Sequence, residues 1–172
     1  MPQKRSRKNP VQRRFDWLLT RLERALRDFY GGRLVSVVVY GSVGRGRPSA
    51  ESDVDFLIVA EPLPNGRMPR MDEFQSVKKA LAPQLDTLAN QGIFTTLAPI
   101  FKTPAEVNLG SPLFLDMLDD GRILYDPSGF WKHFMIDFRQ RLRRLGARRV
   151  VEGDRWYWDL KPDYRIGETF EI

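Results

Sequence analysis

The most informative segment of this 172-residue chain runs from Val37 to Val59 and reads VVVYGSVGRGRPSAESDVDFLIV. It begins in a β-branched hydrophobic run, passes through a loop rich in glycine and serine, and ends in a second hydrophobic run. Apolar runs of this length, bounded by turn residues, are typical of strands that are buried on both faces. The sequence therefore predicts two buried strands, Leu34–Tyr40 and Val54–Ala60, with a polar loop between them.

Two aspartates, Asp53 and Asp55, stand at the start of the second predicted strand. Side chains two residues apart on a strand point to the same face, about 7 Å apart along the chain. Two like charges at that distance repel each other unless a cation lies between them. Because carboxylate oxygens favour hard cations, the pair predicts a site for Mg²⁺ or Mn²⁺, shared with the phosphates of a substrate.

The loop before the aspartates has the features of a phosphate contact. The loop begins with Gly41 and Ser42, and Gly41 lies twelve residues before Asp53. A glycine lets backbone N–H groups come close to a phosphate, and a hydroxyl adds one more hydrogen bond. Arg45 either reaches a phosphate or braces the loop. Gly-Ser is also a common turn pair, so the evidence lies in its spacing from the acids.

Other phosphate-binding motifs do not fit the same residues. The glycines run Gly41-x-x-Gly44-x-Gly46, which differs from the G-x-G-x-x-G of dinucleotide-binding folds. A Walker loop needs a lysine, and none lies between Lys8 and Lys78. In phosphatases with a D-x-D nucleophile the acids follow a hydrophobic strand, whereas here they precede one.

Composition excludes several other kinds of site. The chain has no cysteine, which rules out disulfides, thiolate metal centres and cysteine nucleophiles. Its one histidine, His133, rules out a multi-histidine metal centre. No apolar run approaches the length of a membrane span, and the basic N-terminus lacks the apolar segment of a secretory signal. We therefore expect a soluble, cytoplasmic protein with no membrane contact.

The charge is uneven along the chain. The net charge is +6, and residues 1–14 hold six Lys and Arg with no acid, which accounts for the whole excess. A second basic cluster lies in 132–149. Such clusters are typical either of proteins that bind an anionic partner or of solvated helix faces. The sequence leaves both readings open.

The remaining pattern predicts a mixed α/β (α+β) fold, with a small sheet of three or four strands flanked by helices. Residues 1–9 are predicted to be a disordered basic arm, and 10–172 a single domain with its core in 33–126 and a C-terminal helix and tail in 127–172. Pro99 indicates an edge position or a bend in its strand. The other predicted elements are helices 11–29, 72–92, 112–118 and 130–145, strands 94–101 and 122–125, a loop over 61–70, and an irregular segment from 150 onward.

Taken together, the segment resembles the nucleotidyltransferase superfamily related to DNA polymerase β, and most of all its small stand-alone domains of the minimal, antitoxin type. The signature of that family is a strand, Gly-Ser, a short loop that often contains Arg-Gly, then Ser-Asp-x-Asp and a second strand. The residues that carry the resemblance are Gly41, Ser42, Arg45, Gly46, Ser52, Asp53 and Asp55.

The resemblance implies a reaction and a role for each of these residues. An acceptor hydroxyl would attack the α-phosphorus of an NTP, taken to be ATP, and pyrophosphate would leave. Asp53 and Asp55 would be the catalytic metal ligands. The residues implied to contact the phosphates are Gly41, Ser42, Arg45 and Ser52. The acceptor stays open among a protein, a tRNA end and a small molecule such as an aminoglycoside.

One element of the family pattern is missing. Active members carry a third carboxylate on the strand after the next helix, but strand 94–101 has no acid, and Thr96 or Ala98 stands at the expected position. In one hypothesis another acid takes the role and the chain transfers AMP. In the alternative, the chain is a catalytically weakened nucleotide-binding antitoxin or scaffold that pairs with a helical HEPN-type partner or with itself. The candidates for the other acid are Glu51, Asp86 and Glu106.

Overall fold

The computed structural model describes residues 9–153, 155–170 and 172, with nothing said of the side chain of Trp156. In this part of the chain, helices and strands alternate. The helices are α1 (Pro10–Tyr30), α2 (Gly41–Gly44), α3 (Arg67–Ala89), α4 (Pro104–Asn108), α5 (Leu113–Asp120) and α6 (Phe130–Arg144), with a 3₁₀ turn at Gly31–Arg33. The strands are β1 (Leu34–Tyr40), β2 (Val54–Ala60), β3 (Leu97–Lys102), β4 (Arg122–Tyr125), β5 (Arg148–Glu152) and β6 (Arg155–Asp159).

Four of the strands form one mixed sheet in the order β3-β2-β1-β4. Strand β1 pairs antiparallel with both β2 and β4, while β2 and β3 run parallel because α3 crosses between them. The end of β1 and the starts of β2 and β3 therefore meet at one edge of the sheet, which we call the upper edge. In register, Tyr40 lies opposite Asp55, and Asp55 lies beside Ala98.

The sheet is buried on both faces, which explains why β1 and β2 are continuous hydrophobic runs. Along β2, Phe56 and Ile58 pack against α1 and α3. The alternate residues Leu57 and Val59 pack against α4, α5 and α6. By this alternation, Asp55 belongs to the face covered by α4–α6, at the upper edge.

Helix α1 begins with a proper cap, since the Asn9 side chain accepts a hydrogen bond from the backbone N–H of Val11 at 2.7 Å. Asn9 thus takes part in the helix start, although the sequence placed it in the arm. Residues 1–8 of that predicted arm lie outside the described residues. The middle of the apolar stripe of α1 is buried as the periodicity predicts, with Leu18, Leu22 and Leu26 inaccessible to solvent.

Most predicted elements are confirmed, and the four-stranded sheet matches the predicted fold class. The bounds of β1, β2 and β4 agree with prediction, and Pro99 lies on the edge strand β3. The predicted loop over 61–70 is wrong at its end, because α3 already begins at Arg67. Pro69 is tolerated there since the first turn of a helix needs no N–H donors. Helix α4, capped by Thr103, is a short element that the sequence analysis missed.

The irregular segment predicted from Val150 onward is also wrong in its first part. Strands β5 and β6 form an antiparallel hairpin of their own, turning at Gly153, which has a positive φ of 61°. Arg148 and Asp159 form an ion pair across it at 3.3 Å. Neither strand alternates clearly between apolar and polar residues, which is why the pattern did not reveal it.

An ion pair between the nearly buried Arg70 and the partly exposed Glu106 joins α3 to the end of the sheet opposite the upper edge. The Arg70 guanidinium donates to both carboxylate oxygens of Glu106, at 2.8 and 3.0 Å, and also to the carbonyls of Pro64 and Phe101. Glu106 in turn accepts from the backbone N–H of Thr103, completing a capping box on α4. This cluster holds three segments of the chain together.

We expect Glu106→Gln to lower the free energy of unfolding by about 1–2 kcal/mol, because it leaves the Arg70 charge without its anion. Urea unfolding measures this change. The matched control is Asp28→Asn, which breaks the fully exposed Arg24–Asp28 pair. It should change stability by less than about 0.5 kcal/mol. Equal losses in both variants would contradict a structural role for the Arg70–Glu106 pair.

The same pair predicts a pH dependence. The hydrogen bond from Arg70 holds the pKa of Glu106 below its usual 4.5. A depressed carboxyl pKa adds stability above the unfolded value, and this contribution disappears as the pH falls through the folded value. The stability difference between wild type and Glu106→Gln should therefore be constant from pH 7 to 5 and shrink below about pH 4. A difference that grows on acidification would contradict it.

No helix in the described part of the chain is both long and apolar enough to cross a membrane.

Candidate active site

The residues of the sequence motif come together at the upper edge of the sheet. Strand β1 delivers Gly41 and Ser42, which open the short helix α2, and β2 begins directly after Asp53. The antiparallel register brings the end of one strand against the start of the other, so segments twelve residues apart face each other. The structure thus places Gly41, Ser42, Ser52, Asp53 and Asp55 in one neighbourhood.

Gly41 approaches Asp55 more closely than any other residue type could. Its φ is +68°, in the left-handed region that favours glycine. A Cβ built on it would lie 2.7 Å from Oδ2 of Asp55, inside van der Waals contact. Glycine is therefore required here on two independent grounds, backbone conformation and space, and the turn and the carboxylate form one unit.

Three serine hydroxyls tie the loop to itself. The Ser42 hydroxyl donates to Oγ of Ser52 at 2.9 Å, and that same oxygen accepts from the backbone N–H of Ser49 at 2.9 Å. Ser52 lies one residue before Asp53, so this network joins the start of α2 to the start of the acidic strand. Ser52 thus links the two ends of the loop by hydrogen bonds, and Ser42 lies at the start of the loop.

Asp53 has a partner on the neighbouring strand segment. Its Oδ1 accepts hydrogen bonds from the backbone N–H of Thr96 at 2.9 Å and from the Thr96 hydroxyl at 2.7 Å. The backbone N–H of Val54 donates to the Thr96 carbonyl at 2.9 Å, so the two chain segments are joined on both sides of the carboxylate. Asp53 itself is exposed, and its orientation is fixed.

The electrostatics of the site favour a bound cation. Burial and then the neighbouring charge of Asp53 raise the pKa of Asp55 above its usual value. Burial, with Asp55 and Asp116 also contributing, raises the pKa of Tyr40 to about 12. In both cases burial is the larger cause, and neighbouring carboxylates add to it.

Arg45 takes the second of its two predicted roles in this structure. Its guanidinium donates to Oδ2 of Asp120 at 3.0 Å, which braces the loop against the end of α5. Gly44 sits in the same contact, because a Cβ there would lie 2.7 Å from the Asp120 carbonyl oxygen and 2.8 Å from that of Val39. Sequence reasoning missed Asp120, and its distance of 75 residues from Arg45 leaves no local signal.

The candidates for a third acid do not join the aspartate pair. Glu106 is engaged by Arg70 at the other end of β3. Asp86 is exposed on α3, which covers the face of the sheet opposite to Asp55. Glu51 is exposed in the loop before Ser52. Within residues 9–153, 155–170 and 172, no group of three His, Cys, Asp or Glu side chains lies close enough to hold a metal ion.

The pair nevertheless fits a divalent ion that shares its coordination with a substrate. Asp53 and Asp55 supply only oxygen donors, which suits Mg²⁺ or Mn²⁺. Two protein carboxylates with phosphate oxygens as the remaining ligands are a usual arrangement for Mg²⁺. The proximity of the two carboxylates, through which Asp53 contributes to the raised pKa of Asp55, favours such an ion.

The family comparison agrees with this geometry. The family model described as nucleotidyltransferase domain matches residues 19–102, a span that runs from α1 to the end of β3 and includes the whole motif. The resemblance drawn from the motif is therefore confirmed over residues 19–102, and the mixed α/β fold of the described residues agrees with it.

Among known proteins, the chain is similar to a candidate protein adenylyltransferase of Methanocaldococcus jannaschii. The two are 29% identical over 129 residues, which cover 74% of this chain and 82% of the relative. The chain is also similar to a toxin–antitoxin crystal structure with AMP-PNP, at 18% identity and a TM-score of 0.46. The match covers 73% of this chain and 90% of the chain in that structure. The structure of a candidate nucleotidyltransferase from Sulfolobus solfataricus matches at 12% identity and a TM-score of 0.38. That match covers 73% of this chain and 94% of the other chain.

We expect Gly41→Ala to weaken Mg²⁺·ATP binding at least tenfold, because the added methyl group displaces the Asp55 carboxylate. Isothermal titration calorimetry measures the affinity. The matched control is Gly92→Ala, since Gly92 also has a positive φ, +78°, but a Cβ there meets nothing within 4 Å. Both variants should lose about 1 kcal/mol of stability from backbone strain, and only Gly41→Ala should lose affinity. Equal affinities would contradict the steric argument.

Proposed function

We propose that this chain is a metal-dependent nucleotidyltransferase that moves AMP from ATP to a hydroxyl group on an acceptor. The observation that carries the proposal is the contact between the Gly41 turn and Asp55, with Asp53 held beside it on the same strand. In this arrangement, backbone N–H groups that would bind phosphate lie next to two carboxylates that would bind a metal ion. An in-line displacement at a triphosphate requires both groups at one place.

The reaction follows from these positions. The acceptor oxygen forms a bond to the α-phosphorus, and the bond from that phosphorus to the oxygen bridging to the β-phosphate breaks. Pyrophosphate leaves with the electron pair, and the hydroxyl proton passes to water. Asp53 and Asp55 would hold the divalent ion, whose charge neutralises the triphosphate when it is bound. Gly41 and Ser42 would orient the phosphates, mainly by backbone N–H groups because the Ser42 hydroxyl already donates to Ser52.

Arg45 and Ser52 take indirect roles in this proposal. Both were predicted to contact phosphate, but Ser52 closes the loop through Ser42 and Arg45 pairs with Asp120. We propose that they position the loop, and that Arg45 reaches a phosphate only if it leaves Asp120. The half-exposed Arg45–Asp120 pair is weak enough for such an exchange.

A protein hydroxyl is the acceptor that we favour. The relative from Methanocaldococcus jannaschii is named as a candidate protein adenylyltransferase, and its similarity spans most of both chains. A tyrosine, serine or threonine side chain presents a hydroxyl of the required kind. Of the three acceptor classes left open by the sequence, this is the one that the relative supports.

A second candidate function rests on strand β3. Ala98 lies beside Asp55, and it is, with Thr96, one of the two positions at which the family's third carboxylate is expected. Loss of a catalytic base costs typically 10²–10⁴ in rate. The alternative is therefore a weakened nucleotide-binding antitoxin or scaffold that pairs with a HEPN-type protein or with its own copies. It predicts nucleotide binding without turnover.

We expect Asp53→Asn and Asp55→Asn each to weaken Mg²⁺·ATP binding by at least a hundredfold, because each removes a charged metal ligand. Titration calorimetry, with thermal unfolding as a check on folding, measures this loss. Asp86→Asn is the matched control, since it removes an exposed carboxylate from α3 and should bind ATP as the wild type does. Nucleotide binding that survives in both site variants would overturn the proposed site.

Transfer is tested with radiolabelled ATP and a pool of peptides that carry tyrosine, serine and threonine. Label should enter a peptide from [α-³²P]ATP and not from [γ-³²P]ATP, because AMP and not phosphate is transferred. Label from the γ-position would contradict nucleotidyl transfer. Tight Mg²⁺·ATP binding with no transfer to any peptide would favour the scaffold.

A further inference from the structure

Strand β3 meets the aspartate pair with groups that carry no charge. Thr96 lies against Asp53 and Ala98 lies beside Asp55 in the parallel register. A third carboxylate on this strand would project toward the same pair. The chain instead supplies a hydroxyl and a methyl group, and this substitution has consequences for how many ions the site holds.

The two hydrogen bonds from Thr96 fall on the same oxygen of Asp53. A carboxylate oxygen has two lone-pair directions, and Oδ1 receives the Thr96 backbone N–H at 2.9 Å and the hydroxyl at 2.7 Å. Both directions are then occupied, so Asp53 has only Oδ2 left to offer a cation. Asp53 therefore serves as a single-oxygen ligand in a fixed orientation.

Two ions bridged by carboxylates need more donors than remain here. Asp53 provides one free oxygen and Asp55 provides two, and no third acid lies close enough among the described residues. The other ligands of an ion must come from the phosphates and water, which suits one Mg²⁺ bound with a triphosphate. A second ion at the acceptor side would lack the charge to hold it.

We infer that Thr96 is the positioning residue of Asp53, and that the site binds one divalent ion with its nucleotide rather than two. This inference rests on the proposed function, since it concerns the ion and nucleotide that the aspartate pair would hold. It assigns Thr96 a role that the motif does not contain: to fix the metal ligand through its hydroxyl.

The number of ions is measured directly by electron paramagnetic resonance of Mn²⁺, titrated into the protein with saturating α,β-methylene-ATP, which is not cleaved at the α-phosphorus. We expect the wild type to bind one Mn²⁺. Ala98→Asp should bind two, because it restores a carboxylate beside Asp55. Ala98→Asn adds the same bulk without the charge and should still bind one.

The positioning role is tested on the same assay. Thr96→Val removes only the hydroxyl and should weaken Mn²⁺ binding about tenfold, the loss expected for one hydrogen bond to a charged group. Thr96→Ser keeps the hydroxyl and should restore wild-type affinity. Thr95→Val is the matched control on the neighbouring residue and should leave affinity unchanged. These three variants and the wild type are compared at equal folded fraction, checked by circular dichroism.

The outcomes separate the two proposals. Two Mn²⁺ ions in the wild type would overturn the single-ion inference and leave the proposed function standing. Thr96→Val with wild-type affinity would overturn the positioning role. Failure of the wild type to bind either Mn²⁺ or the nucleotide analogue would overturn both the proposed function and this inference.

Discussion

The architecture of the site depends on one close approach, that of Gly41 to the Asp55 carboxylate. Tyr40 and Asp55 are direct partners in the antiparallel pairing of β1 and β2, so the residue after Tyr40 must turn across the carboxylate. The 2.7 Å between Oδ2 and the position of a Cβ leaves space for hydrogen only. The register of the two buried strands thus determines the geometry of the site. A slip of one residue would turn Asp55 to the other face of the sheet.

The layers of the fold then decide how the charge of the site is balanced. Helices α1 and α3 close one face of the sheet with apolar side chains, and α4–α6 close the other, with α5 reaching the Gly44 turn at the upper edge. Asp55 lies at this edge, half-buried and close to Asp53, and its pKa is raised for both reasons. The two carboxylates repel each other, since the charge of Asp53 contributes to the raised pKa of Asp55.

The sequence predicted those parts of the molecule that local pattern controls. Strands β1 and β2 were found to the residue, because strands buried on both faces are unbroken apolar runs between turn residues. The motif residues were found because their spacing is short. The start of α3 was misplaced because proline ends most helical patterns but is tolerated in a first turn. The contacts of Arg45 with Asp120 and of Arg70 with Glu106 join distant segments, and no local rule identifies them.

Residues beyond the family match contact the loop of the site directly. The match ends at residue 102, at the last residue of β3. Yet α5 supplies Asp120 to brace Arg45, and its last carbonyl packs against Gly44, so it presses on the loop that carries Ser42. The turn and the aspartates lie within residues 41–55, whereas the position of that turn depends on a helix more than 50 residues later. A displacement of α5 would therefore also displace the turn that carries Ser42, although α5 lies outside the motif.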